Sequence, residues 1–167
     1  MTIASDDLLT IARRVFDVCS ARGLTLTTAE SCTGGLVAGT ITALPGSSAV
    51  LERGFVTYSN LAKSEMLGVP PSLIAEEGAV SEAVAGAMAA GALAHSPADM
   101  AVAVTGIAGP SGGSAEKPVG LVHFAVCLRG RSAYTYHAVF DGDRDTVRTQ
   151  AVRTALELVI QEVSRES

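Results

Sequence analysis

The chain has no tryptophan, and aromatic side chains make up only 4% of it. A platform on which bases stack is therefore not expected. Basic runs are missing too: 12 Lys and Arg stand against 17 Asp and Glu, for a net charge of −5. Nucleic-acid binding needs the opposite balance on at least one face. Cys19, Cys32 and Cys127 are odd in number and form no CxxC pair, so neither a disulfide frame nor a zinc site is expected. His95, His123 and His137 lie far apart and match no HExxH pattern, and no metal is expected. No stretch of roughly eighteen residues runs apolar without polar interruption, which argues against a membrane helix. The N-terminus, Met1-Thr2-Ile3-Ala4-Ser5-Asp6-Asp7, has neither a basic region nor a following apolar one, which argues against a secretory signal. A cytoplasmic protein with no nucleic-acid or membrane partner is expected.

What remains is an apolar chain with little charge. It is 48% hydrophobic and 17% charged, with a mean hydropathy of +0.36. Ala and Val dominate, which points to closely packed helices and buried strands. Its 167 residues suit one domain, 1–167, with a real core.

Helical spacing of Leu8, Leu9, Ile11, Ala12, Val15, Phe16 and Cys19 predicts a helix over 6–21, capped by Ser5 and stopped at Gly23. Arg13 and Arg14 fall on its outer face. A strand is predicted over 24–28 and a Gly/Ala-rich helix over 34–44. Pro45-Gly46-Ser47-Ser48 breaks the chain, and 52–59 reads as a second strand. Asn60 is expected to cap a short helix carrying Lys63, and 71–76 reads as a turn or short helix. Ser81-Glu82 opens a long Ala-rich helix to about His95. Residues 99–104 form a strongly buried strand, followed by a shaped Gly/Pro loop from Thr105 to Pro118. A hairpin over 119–128 and 132–140 and an amphipathic helix over 143–163 complete the chain. This order predicts an α/β fold: a mixed, partly parallel sheet with helices on both faces. The Ala-rich helix can pack inside the domain or across an interface, and a homo-oligomer is expected.

The stretch Thr28-Ala29-Glu30-Ser31-Cys32-Thr33-Gly34-Gly35 sits where a strand gives way to a helix. A hydroxyl there serves as an N-cap, a phosphate ligand or a nucleophile. Polar residues mark two other strand ends: Tyr58-Ser59-Asn60 with Lys63, and Thr105-Gly106. Ligands of open α/β sheets collect at such ends. There is no GxSxG elbow, no P-loop order and no GxGxxG. The remaining arrangement is Ser31 with Lys63, a lysine that burial would keep neutral and basic. Tyr58 could relay or orient the proton, and Thr105 could orient substrate or Lys63. Backbone N–H groups at the helix after Ser31 or at Gly106 could hold an oxyanion. Cys32 is an alternative nucleophile, though a small buried hydrophobe is the commoner fate. Lys117, in a turn, needs no special role.

Several segments together carry a resemblance. They are Thr28 to Gly35, Pro45-Gly46-Ser47-Ser48, Gly54-Phe55-Val56-Thr57-Tyr58-Ser59-Asn60 with Lys63, Gly78-Ala79-Val80-Ser81-Glu82, Thr105-Gly106-Ile107-Ala108-Gly109-Pro110 and Lys117-Pro118-Val119-Gly120. In this order, over almost the whole chain, the sequence resembles the CinA C-terminal domain family, which includes stand-alone nicotinamide-nucleotide amidases. The resemblance implies a three-layer α/β/α sandwich with a mixed sheet, in the stand-alone form. It implies hydrolysis of nicotinamide mononucleotide to nicotinate mononucleotide and ammonia, in the pyridine nucleotide cycle and without a cofactor. It makes Ser31 the nucleophile, Lys63 and Tyr58 its assistants, and Thr105 part of the same site. Thr33, Gly34, Gly35, Gly46, Ser48, Asn60, Gly106 and Arg148 are expected to bind the nucleotide, with Arg144 or Arg148 near its phosphate. The rival class is a non-catalytic nucleotide-binding regulatory module, and a third reading is an amidase for another amide.

Overall fold

A computed structural model describes residues 4–165; residues 1–3, part of the stretch read for a secretory signal, lie outside the described residues. The helices are α1 Asp6–Ala21, α2 Leu36–Thr42, α3 Asn60–Leu67, α4 Pro71–Glu77, α5 Glu82–Ala94 and α6 Arg144–Arg165. The strands are β1 Leu26–Glu30, β2 Leu51–Val56, β3 Met100–Gly106, β4 Leu121–Leu128 and β5 Tyr134–Val139. They form one sheet in the order β2-β1-β3-β4-β5. β1 is parallel to both β2 and β3, while β3, β4 and β5 run antiparallel in turn.

Strand alternation decides how each face is covered. Met100, Val102 and Val104 of β3 point with Val122, Phe124 and Val126 of β4 into a core shared with α1, α2 and α6. The opposite face carries Ala101, Ala103 and Ala125, and there α5 packs with Val84, Ala85, Met88, Ala89 and Ala92. Small side chains on both surfaces let α5 lie close to the sheet. α3 comes equally close to α5: a Cβ added at Gly91 would stand 1.9 Å from the Leu67 carbonyl oxygen. The Ala-rich helix thus packs inside the domain, and the three-layer α/β/α expectation holds.

Ser5 caps α1 through the Leu8 N–H, and Arg13 and Arg14 are exposed, as the spacing predicts. Several boundaries move for identifiable reasons. β1 begins at Leu26 rather than 24 because the Leu24 N–H bonds Cys19 and the Thr25 N–H bonds the Asp99 carboxylate. α2 begins at Leu36 rather than 34 because Gly34 and Gly35 both take positive φ, +57° and +98°. Ser59, not Asn60, caps α3, accepting from the Ala62 N–H at 3.0 Å. Thr105 and Gly106 belong to β3, paired with His123 and Val122 of β4. Among the described residues, no helix is long and apolar enough to cross a membrane.

Candidate active site

Because β1, β2 and β3 are parallel, their C-terminal ends share one edge of the sheet. Ser31 follows β1 there, its N–H bonded to the Val104 carbonyl. It does not cap α2. That work is done by Glu30, 1% exposed, whose carboxylate accepts from the Val37 N–H (2.8 Å), the Ala38 N–H (3.1 Å) and the Thr33 hydroxyl (2.7 Å). The Leu36 N–H is spent on Thr33. The first-turn donors of α2 are therefore engaged and are not free for an oxyanion or phosphate.

Relieved of capping, the Ser31 hydroxyl turns to Lys63. α3 carries Lys63 inward until it is only 1% exposed. Its ammonium donates to Ser31 Oγ (3.1 Å), the Thr57 carbonyl (3.0 Å) and the Tyr58 carbonyl (3.4 Å). These partners are all uncharged. Burial pushes the Lys63 pKa down from the ordinary lysine value. In the neutral amine, two N–H groups still satisfy the two carbonyls. The lone pair is left facing Ser31, and the same contact reverses so that Ser31 donates to Lys63. This is the geometry of a hydroxyl beside its own base.

Ser31, Cys32, Tyr58, Asn60, Lys63, Ala79, Val80, Thr105, Gly106, Ala108 and Arg144 surround a cavity of about 200 Å³. A larger groove of about 420 Å³ between α3 and α4, lined by Asn60, Leu61, Ser64, Pro71, Ile74 and Ala75, holds no ionisable group. The cavity of about 200 Å³ is the one that holds the Ser31 hydroxyl against the Lys63 amine.

The predicted residues divide around it. The Tyr58 carbonyl, not its phenol, meets Lys63; the phenol accepts from Arg144 at 3.0 Å, so the proton needs no relay between Lys63 and Ser31. The buried Thr105 hydroxyl donates to the Ala79 carbonyl at 2.8 Å and so fixes the cavity wall rather than Lys63. Gly106 leaves room: a Cβ there would fall 2.7 Å from Val122 and 3.1 Å from Cys32 Sγ. Arg148 donates to the Cys32 carbonyl at 3.1 Å and packs over Gly34. Gly35 is the left-handed residue from which α2 starts. Thr33 is buried and its hydroxyl is spent on Glu30, so it cannot reach a substrate. Gly46 precedes and Ser48 lies within a single 3₁₀ turn, Ser47–Ala49, just before Leu51, which pairs with Leu26 at the start of β1. That is the opposite end of the parallel strands from Ser31, and within the chain these two residues do not join the site.

Burial raises the Cys32 thiol to about 11. It stays protonated near neutral pH, which makes it a weaker nucleophile than an ordinary thiol. Glu30 and Lys117 escaped the sequence reading. The Glu30 carboxylate fills the capping role, one of three open to its neighbour Ser31, and Lys117 donates to the carbonyls of Glu77 and Val80. A charged residue at the end of an apolar strand was the available signal for Glu30. Among the described residues, no group of three or more His, Cys, Asp or Glu side chains is placed to hold a metal ion.

The same arrangement of strands and site residues invites comparison with known proteins. Nicotinamide-nucleotide amidohydrolase PncC of Escherichia coli K12 is 51% identical over 160 residues, 96% of this chain and 97% of that protein. A putative competence-damage inducible protein of Symbiobacterium thermophilum is 54% identical over 90% of this chain, which spans 37% of that protein. The crystal structure of the competence/damage inducible protein CihA of Agrobacterium tumefaciens superposes with a TM-score of 0.93 at 51% identity, covering 96% of this chain and 98% of that one. The profile of the CinA C-terminal domain matches residues 8–163, nearly everything from α1 to the last turns of α6. With sequence, fold and profile in agreement over almost its full length, the chain belongs to the CinA C-terminal domain family.

Proposed function

We propose that this chain is an amidohydrolase that converts nicotinamide mononucleotide to nicotinate mononucleotide and ammonia, with Ser31 as nucleophile and Lys63 as general base. One observation carries the chemistry: a buried lysine nitrogen 3.1 Å from a serine oxygen, with only carbonyls as its other partners. The substrate comes from likeness to the PncC proteins.

Neutral Lys63 takes the Ser31 proton as Oγ attacks the carboxamide carbon. The resulting ammonium lies beside the negative charge that develops on the carbonyl oxygen and offsets it. Lys63 then returns the proton to the departing nitrogen, the C–N bond breaks and ammonia leaves. Water attacks the ester carbon as Lys63 takes its proton. Oγ leaves with that proton, which regenerates Ser31 and releases the carboxylate. The cavity, about 200 Å³, admits the pyridine ring and its carboxamide. The ribose phosphate extends toward Arg144, which lines the cavity, with Arg148 one turn further along α6. In a chain of net charge −5 these guanidiniums give the site a local positive field for a phosphate.

The test compares ammonia release from nicotinamide mononucleotide and from free nicotinamide. Preferred turnover of the mononucleotide, weakened by Arg144→Ala, is expected. Tight binding of the mononucleotide without ammonia would instead favour a nucleotide-sensing module.

A further inference from the structure

We propose that Lys117 is a positioning residue of the hydrolytic cavity: its ammonium ties together two loops that each supply cavity wall. The proposal rests on the hydrolase reading above.

The first loop joins α4 to α5. The carbonyl oxygens of Glu77, Gly78, Ala79 and Val80 are consecutive, and each accepts a side-chain hydrogen bond. Lys117 Nζ donates to Glu77 (2.6 Å) and Val80 (2.9 Å), Ser81 to Gly78 (2.8 Å) and Thr105 to Ala79 (2.8 Å). Ala79 and Val80 line the cavity beside Ser31 and Lys63. Such a density of side-chain donors on an irregular segment goes beyond what closing a helix requires.

The second loop joins β3 to β4. Its Ala108 also lines the cavity, and its Gly109 carbonyl accepts from Arg144 at 2.8 Å. Ser114 and Lys117 close a turn in this loop, through Lys117 N–H to Ser114 Oγ at 3.0 Å and Ser114 N–H to the Lys117 carbonyl at 2.7 Å. The Lys117 backbone is thus fixed in one loop while its ammonium is fixed in the other. Space around it is also reserved: a Cβ on Gly78, which holds φ +80°, would fall 2.7 Å from Lys117 Nζ. Together with Arg144, which joins Gly109 to Tyr58, these bonds run round the cavity from the segment between β2 and α3 through both loops to β3.

A wall held this way sets where the carboxamide lies relative to Ser31, and small displacements there cost turnover more than binding. The experiment is steady-state ammonia release from nicotinamide mononucleotide by wild type, Lys117→Met and Lys117→Arg, with amide hydrogen exchange of segment 77–81 on the same proteins without substrate. Lys117→Met is expected to lower kcat about tenfold or more, with KM changed less than kcat. The acid limb of the pH profile stays in place because Lys117 does not bond Lys63. Lys117→Arg, which keeps donors for both carbonyls, recovers part of the loss, and exchange in 77–81 quickens in Lys117→Met. A Lys117→Met kcat within about twofold of wild type would overturn the proposal, as would unchanged exchange in 77–81. Wild type that releases no ammonia would defeat the hydrolase reading instead, and exchange would still decide the tie.

Discussion

Lys63 Nζ lies 3.1 Å from Ser31 Oγ, inside a shell whose other acceptors are the Thr57 and Tyr58 carbonyls. The amine is held below the ordinary lysine range by burial. Activity through a neutral Lys63 falls as pH drops below that depressed value, about tenfold per pH unit on the acid limb. A rate against pH profile reads the limb directly; activity that holds level as Lys63 gains its proton would contradict this role.

The same shift has a stability consequence. Between the depressed value and the ordinary one, the unfolded chain binds a proton at Lys63 that the folded chain does not. Stability therefore rises with pH across that window, and the cost of the buried cation is full below it. Lys63→Met removes that cost. Its melting temperature at pH 7 is expected to equal or exceed that of wild type, while activity falls by about a hundredfold or more. Thermal unfolding of both proteins across pH checks the sign.

Cys32 neighbours the nucleophile yet has a thiol raised to about 11. Cys32→Ala is expected to keep activity within about fivefold of wild type and to cost roughly 1–2 kcal/mol for the buried volume it removes. Alkylation of Cys32 in the folded protein at pH 8 should be slow. Rapid modification with loss of activity would reassign the nucleophile.

Glu30 holds the turn on which Ser31 sits. Glu30→Ala strips three donors of their acceptor in a buried place and is expected to cost about 2–4 kcal/mol. Glu30→Gln, which keeps one acceptor oxygen, should cost less. Denaturant unfolding gives both values, and a neutral Glu30→Ala would show that the turn stands without it.

Gly91 links the fold to the site. Alanine there would gain about 1 kcal/mol of helix propensity, but its Cβ would stand 1.9 Å from the Leu67 carbonyl of α3. The clash wins, since backbone must move. Because α3 carries Lys63, Gly91→Ala is expected to lower both stability and ammonia release. A more stable, fully active variant would contradict the packing account.

Much of this was legible in the sequence, and the failures have local causes. The apolar runs and helical spacings located the buried strands β1, β3 and β4 and the helices α1, α5 and α6, while β2, which has no fully buried residue, was read from its β-forming residues. Ser31, Lys63, Tyr58, Thr105 and Gly106 converge because parallel strands end together, which their order implies. Tyr58 kept its place but not its part: a carbonyl contact leaves no trace in side-chain identity. Glu30 was passed over as a cap because Ser31, next to it, can also cap a helix from just before it, and only the two positive-φ glycines at 34 and 35 settle where α2 begins. Gly46 and Ser48 look like an anion loop by composition, yet parallel register sends them to the far end of β2. Lys117 reads as a surface cation until the carbonyls it holds, forty residues away, are known.

The most direct test of the account is ammonia release from nicotinamide mononucleotide by wild type and Ser31→Ala, purified together and shown to be equally folded. The account predicts measurable turnover in wild type and a loss of about a thousandfold or more in Ser31→Ala. Turnover by Ser31→Ala at a rate near wild type would contradict it.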